Sequence, residues 1–170
     1  MSEQIFYGKY RGVVINNVDP MQMGRLVVAV PDVSGLLPTT WAMPCFPVTG
    51  PQMGVFVLPP IGAGVWIEFE QGDTDFPIWV GCFPGSSADV PPLALAGNPA
   101  SPSIVLQTGL QNTIMISDLP GETGGILLKT AAGAMISICD TGITISNGQG
   151  AIITMTGPSV DINGGALKVI

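Results

Sequence analysis

No histidine occurs among the 170 residues of this chain. That removes the commonest general base, the commonest transition-metal ligand and every Ser-His or Cys-His nucleophile pair. The remaining groups that could do chemistry are few. Asp73 and Asp75, in QGDTDFP, could hold a cation, but satisfying turn amides between two strands is the better use of them. Glu68 and Glu70 alternate onto one face of a strand and resemble a carboxylate pair. With no partner base, nucleophile or pocket signal, they read as exposed strand charges. Asp118, Asp140 and Asp161 recur through the second half of the chain, where solubilising charge is a simpler role than ion binding. Gly62-x-Gly64 is followed by neither a helix signal nor a lysine, so it is not a phosphate loop. Trp66 and Trp79 could stack bases, as aromatic residues do on some single-strand-binding barrels. Their acidic surroundings favour barrel core or subunit interface instead. The expected set of catalytic, cofactor-binding and metal-ligating residues is therefore empty, and the chain is expected not to be an enzyme.

Cys45, Cys82 and Cys139 are odd in number, far apart and form no CxxC pair. They read as buried free thiols in a protein assembled in a reducing cytoplasm. With 12 acids against 5 bases and a net charge of −7, the chain lacks the cations that nucleic acid demands of a main partner. The N-terminal residues MSEQIFYGKYRG lack the basic-then-apolar pattern of a signal peptide. The uncharged stretch from Val33 to Ile67 is long enough to span a bilayer, but its six prolines argue against a membrane helix.

Only 10% of residues are charged, while the chain carries 23 glycines and 16 prolines. The abundance of Val, Ile and Thr and the shortage of strong helix formers predict an all-β protein. So few charges on a monomer would leave it poorly soluble, so burial between subunits is expected.

The aromatic residues divide the chain. All of them (6 Phe, 3 Trp and 2 Tyr) lie between Phe6 and Phe83, and only Pro120 and Pro158 follow Pro102. Three segments are therefore expected: a globular domain over residues 1–84, a Pro/Gly/Ser/Ala-rich linker or collar over 85–102, and a thin fibre over 103–170. In the first, strands are expected at 9–16, 25–32, 53–60, 63–70 and 76–83, with the WAMPCFP region as a Pro-rich loop. Alternation puts Val65, Ile67 and Phe69 on one face of the fourth strand and Trp66 and Glu68 on the other. Five strands in so short a span suit a closed barrel of the OB-fold type.

The second half reads as eight short strands, at 103–108, 113–118, 125–130, 134–139, 142–147, 151–156, 159–164 and 166–170. Most alternate apolar with small polar residues, as in Ile143-Thr144-Ile145-Ser146, and glycine separates many of them. Strands punctuated this way are the signature of a β-solenoid. One such chain has too little bulk to cover its own apolar face. The expectation is an intertwined trimeric β-helix (β-prism), each chain contributing one strand in turn around a shared axis, in a rod about 40 Å long.

The segment GVVINNVDPMQMGRLVVAVPDV then takes on meaning. A first strand running into Asn16, Asp19 and Pro20, with Gly24 and Arg25 opening the second strand, resembles the central spike proteins of contractile tails. Trp41-Ala42, the PPIGAGVWIEFEQGD segment and Pro77-Ile78-Trp79-Val80-Gly81 follow the same pattern. The family includes phage baseplate assembly spikes and the OB portion of the type VI secretion spike, VgrG. The resemblance covers roughly residues 8–85 by motif and 103–170 by repeat style. It implies a homotrimeric structural spike, a component of a virion tail or injection particle, that seats on a trimeric hub, pierces the target envelope and touches its membrane only transiently. Asp19 and Arg25 lie at the family's turn, where a structural ion pair or turn contact is the expected role and hub contact the alternative. The linker leaves no room for the lysozyme domain of some relatives. Few residues precede the first strand, so the hub is expected to be a separate protein. The absence of histidine rules out the iron-binding His-x-His tip of some short spikes. The apolar last strand, Ala166 to Ile170, suggests a blunt platform closed by a separate PAAR-like tip protein.

Rival readings each lack something. A binding module for single-stranded nucleic acid or glycan, with a trimerising tail, lacks its basic groove. A β-helical lyase or tail hydrolase lacks a lined groove of acids and bases. A receptor-binding fibre would end in a globular head.

Overall fold

The computed structural model describes residues 5–169 and divides into two compact units, 1–89 and 90–170. In both the regular structure is mostly strand, with only a few helical turns of three or four residues, so the chain is all-β. Segment 90–102 falls with the second unit. Among the described residues no helix is long and apolar enough to cross a membrane.

In the first unit, β1 (Tyr10–Asn16) buries Gly12 and Val14 and exposes Arg11, Val13 and Ile15. It pairs antiparallel with β2 (Val27–Ala29) and with β6 (Gly64–Phe69). β6 pairs with β7 (Pro77–Phe83), which runs parallel to the short β3 (Met43–Pro44). Leu26 and Ala42 exchange both backbone hydrogen bonds, at 3.1 and 2.7 Å, and this contact joins the start of β2 to the start of β3. The five-stranded sheet, ordered β2-β1-β6-β7-β3, thereby curls into a barrel of the OB type whose two end strands meet through this bridge. Bulges between Val14 and Asn16 and between Trp66 and Ile67 supply curvature.

The barrel core is the sum of the inward alternations. Val14, Leu26, Val28, Val30, Ala42, Val65 and Ile67 are at most 1% exposed, with Phe69 and Trp79 close behind. Phe6 and Tyr10 pack edge-on or tilted around Phe69 and close one side of this core.

One strand expectation in this unit fails. Residues 53–60 do not form the third strand. Only Met53–Gly54 (β5) is paired, with β4 (Thr49–Gly50), in a small separate hairpin. Val55, Phe56 and Val57 lie outside any strand and are exposed, and Pro59 and Pro60, which have no N–H to donate, end the run. The third barrel strand lies in the segment read as a Pro-rich loop, where β3 occupies an edge that a proline tolerates.

The second unit is an antiparallel meander. Its strands are β8 (Ile104–Gln107), β9 (Thr113–Ser117), β10 (Gly125–Lys129), β11 (Met135–Cys139), β12 (Gly142–Ser146), β13 (Ile152–Thr156), β14 (Ser159–Ile162) and β15 (Leu167–Val169). Each pairs with its neighbours in sequence, in unbroken order from β15 to β8. Every strand thus lies where alternation predicts one, but the partners differ from expectation. Inner strands use both edges within their own chain, so no strand of another chain enters between them. The cause is local: turns as tight as Asp140–Thr141 and Gly157–Pro158 return the chain at once as hairpins. Gly142, at φ +153°, lies so close to the carbonyl of Met155 that a Cβ there would collide with it.

Candidate assembly face

The meander's register sorts its side chains without exception. Ile104 and Leu106 lie opposite Ile116 and Ile114, which lie opposite Ile126 and Leu128, and so on to Ile162 and Leu167. Each strand from β8 to β14 contributes two apolar residues to one face, and β15 adds Leu167, forming an uninterrupted double column among the described side chains. On the reverse face the central positions of β11 to β14 are Ser137, Thr144, Thr154 and Asp161, in register with one another.

The aliphatic column is uncovered. Leu106 is 66% exposed, Ile138 42% and Ile145 38%, and Met115, on the reverse face, is the only fully buried apolar residue of the unit among those described. A groove of about 560 Å³ with almost purely apolar walls runs along the column, past Leu106, Ile114, Leu128, Ile136 and Ile145. Covering a half-exposed isoleucine is worth about 1 kcal/mol, so covering the column is worth on the order of 10 kcal/mol per chain. A face of this size marks an association surface.

The barrel places its charges differently. Asp19 is 8% exposed. Its carboxylate accepts hydrogen bonds from Arg25 Nη2 (2.6 Å) and Nε (3.1 Å) and from the backbone N–H of Met21, Met23 and Arg25. The Arg25 guanidinium holds this carboxyl well below the usual carboxylate range against the opposing effect of burial, and the three N–H donors add to the shift. The other side of Arg25 faces the Trp41 ring at 5.3 Å. The family-turn residues thus form a structural ion pair that shapes the β1–β2 connection.

Asp73 Oδ1 caps the turn amide of Asp75, as expected. Glu68 faces outward and pairs with Lys9 at 2.5 Å, while Glu70 is exposed beyond the end of β6. Asp140 and Asp161 accept backbone N–H bonds from Gly121 and Gly165, and Asp118 is exposed. Asp140 and Asp161 therefore brace turns rather than merely solubilising the rod. Among the described residues no three acids or thiols come together as a metal site. Trp79 is buried and donates from Nε1 to Gly24 O at 3.0 Å. Trp66 lies on the outer face.

The cysteines need a correction. All are free, but Cys45 and Cys82 are exposed and Cys139 is half-buried. Cys45 follows a strand of only two residues and Cys82 lies at the open end of β7, so neither reaches the core.

One cluster was missed from sequence. The Arg11 guanidinium lies over Trp66 at 5.0 Å and over Phe83 at 4.8 Å. Its signal was the outward phase of Arg11 and Trp66, but their pairing depends on the β1–β6 register, which no local pattern fixes.

Residues 10–83 match the type VI secretion system/phage-baseplate injector OB domain. Residues 103–168 match the phage baseplate V C-terminal trimerisation domain. The two matches take in most of the chain, in the order the fold requires, and the chain belongs to the phage baseplate V spike family. It is a baseplate component of a phage tail or a type VI secretion-like system, built from structural domains, and the second match supports a homotrimer. No curated protein matches the chain.

Proposed function

We propose that the protein is the central spike of a contractile phage tail or related injection system. Three chains join through the double aliphatic column, each sheet forming one wall of a three-sided rod. The reverse face, polar from β11 to β14, points to solvent there. The barrels seat on a separate trimeric hub, and the rod transmits the force of contraction to the target envelope, touching its membrane only on piercing. The particle is assembled in the bacterial cytoplasm. Among the described residues the outer edge of β15 pairs with no strand, and we assign it to a separate PAAR-like tip protein. No residue takes a catalytic, cofactor or metal-binding role. The three-segment division, with a collar over 85–102, belongs to this proposal.

The observation that carries it is the aliphatic column, fifteen positions among the described side chains with no polar break, on a face the chain leaves open. A sheet hydrogen-bonded within one chain still resists unfolding when its apolar side is sealed by two others, because no strand can leave without opening the axis. Light scattering, with and without unheated SDS, tests this. A trimer that survives SDS is expected. A stable monomer would overturn the spike reading.

A further inference from the structure

The barrel unit contains three bases, and two are neutralised internally, Lys9 by Glu68 and Arg25 by Asp19. Arg11 is the third. Among the described residues it is exposed and has no acid partner, yet its guanidinium lies over both Trp66 and Phe83, whose tilted rings have centroids 4.9 Å apart. A guanidinium stacked in this way has already lost much of its side-chain freedom, so ordering it in an interface costs little. Beside it on β1 lie Val13 and Ile15, 44% and 43% exposed. The patch is thus a fixed cation with an apolar flank.

The same barrel carries the complementary charge. Beyond the end of β6 a shallow hollow of about 210 Å³ is lined by Glu70, Gln71, Asp73 and Phe76. Phe76 is 58% exposed, and the carboxylates of Glu70 and Asp75 accept no hydrogen bond among the described residues. This is an anionic hollow with an apolar flank. In a cyclic trimer each interface is heterologous, one patch meeting a different patch of the next subunit. Three barrels tethered through the trimerisation segment meet at high effective concentration.

We infer that the Arg11–Trp66–Phe83 patch of one barrel docks onto the Glu70–Asp73–Phe76 hollow of the next copy, closing a ring of barrels. This rests on the trimeric reading and adds the residues that set barrel-to-barrel contact. The occupant is a second copy because the chain supplies both complementary halves.

The test uses the full chain, with R11E and the charge swap R11E/E70K, after light scattering has counted the chains. In low salt, hydrogen exchange of segment 70–76 is expected to be about threefold faster in the R11E trimer than in the unaltered one, and the swap is expected to restore it. A trimer in which R11E leaves exchange unchanged, or in which the swap fails to restore it, would overturn the barrel contact and leave the trimer standing. A monomer would overturn both.

Discussion

The two units solve the burial problem in opposite ways. The barrel closes its sheet on itself, so each inward residue finds its cover in the same chain, and Leu26, Val28, Val30, Val65 and Ile67 reach 0% exposure. The meander alternates equally well but stays open, and its aliphatic residues run from partly buried, as at Ile143 and Ile153, to two-thirds exposed at Leu106. Closure depends on large residues and one long-range contact, the Leu26–Ala42 pair. The meander has neither aromatics nor a returning strand, only hairpins between sequence neighbours. The difference teaches that alternation alone specifies a sheet, while the bulk of the residues decides whether one chain can complete a core.

The largest expected effect follows from the open face. Ile138→Asp puts three carboxylates at the axis of a trimer, each desolvated beside its copies, at a cost of several kcal/mol per charge. The chain should become monomeric by light scattering while the barrel's melting transition persists. Thr144→Asp, on the reverse face of the neighbouring strand, should leave the trimer intact. If Ile138→Asp still gave a trimer, the column would not be the association face. In the barrel the consequence is reversed. Ile67→Ala should cost about 2–5 kcal/mol of barrel stability, read as an earlier first transition in calorimetry. The chain count and the SDS resistance of the rod should not change.

Much of this contrast was legible in the sequence. Every strand of the meander announces itself, because Ile-x-Ile between glycines has one sensible phase, as in Ile143-Thr144-Ile145. The barrel's first, fourth and fifth strands were legible for the same reason, as was the role of Asp19 and Arg25 through the motif around them. Long-range pairing was not legible. β3 hides in WAMPCFP because only two of its residues pair, and the better-looking MGVFVLPP lies exposed beside it. The meander's pairing was not legible, because alternation reports the face a residue occupies and not which strand lies beside it, and the hairpins pair neighbours within the chain. The Arg11 cluster stayed hidden because its three members come from three strands whose register is a tertiary fact.

Asp19 offers a smaller effect that sharpens the comparison by pH. Its folded carboxyl titrates below its unfolded value. The stability it contributes is therefore present above the unfolded value, about 3.9, and fades as pH falls below about 4 toward the folded value. Asp19→Asn should destabilise the barrel at pH 7, and its deficit against the unaltered chain should shrink on acidification below that point. The rod transition should show no such convergence. A deficit independent of pH down to about 2 would mean that the carboxylate's charge is not what orders the β1–β2 turn.

The smallest effect concerns Lys9 and Glu68, whose 2.5 Å pair is open to solvent, with the two side chains 54% and 41% exposed. Water screens the attraction and both side chains give up freedom to meet, so such pairs contribute about 0.2–1 kcal/mol. Lys9→Met should shift the barrel transition barely, and less at high salt, where the screening length falls to about 3 Å. Combining it with Glu68→Gln in a double-mutant cycle isolates the coupling, which should lie within that range. The barrel's resistance to unfolding then rests on its closed apolar core and the shielded Asp19–Arg25 turn rather than on surface charge. A coupling well above 1 kcal/mol would reverse this, giving the outer face of β1 and β6 a mechanical role within the single barrel.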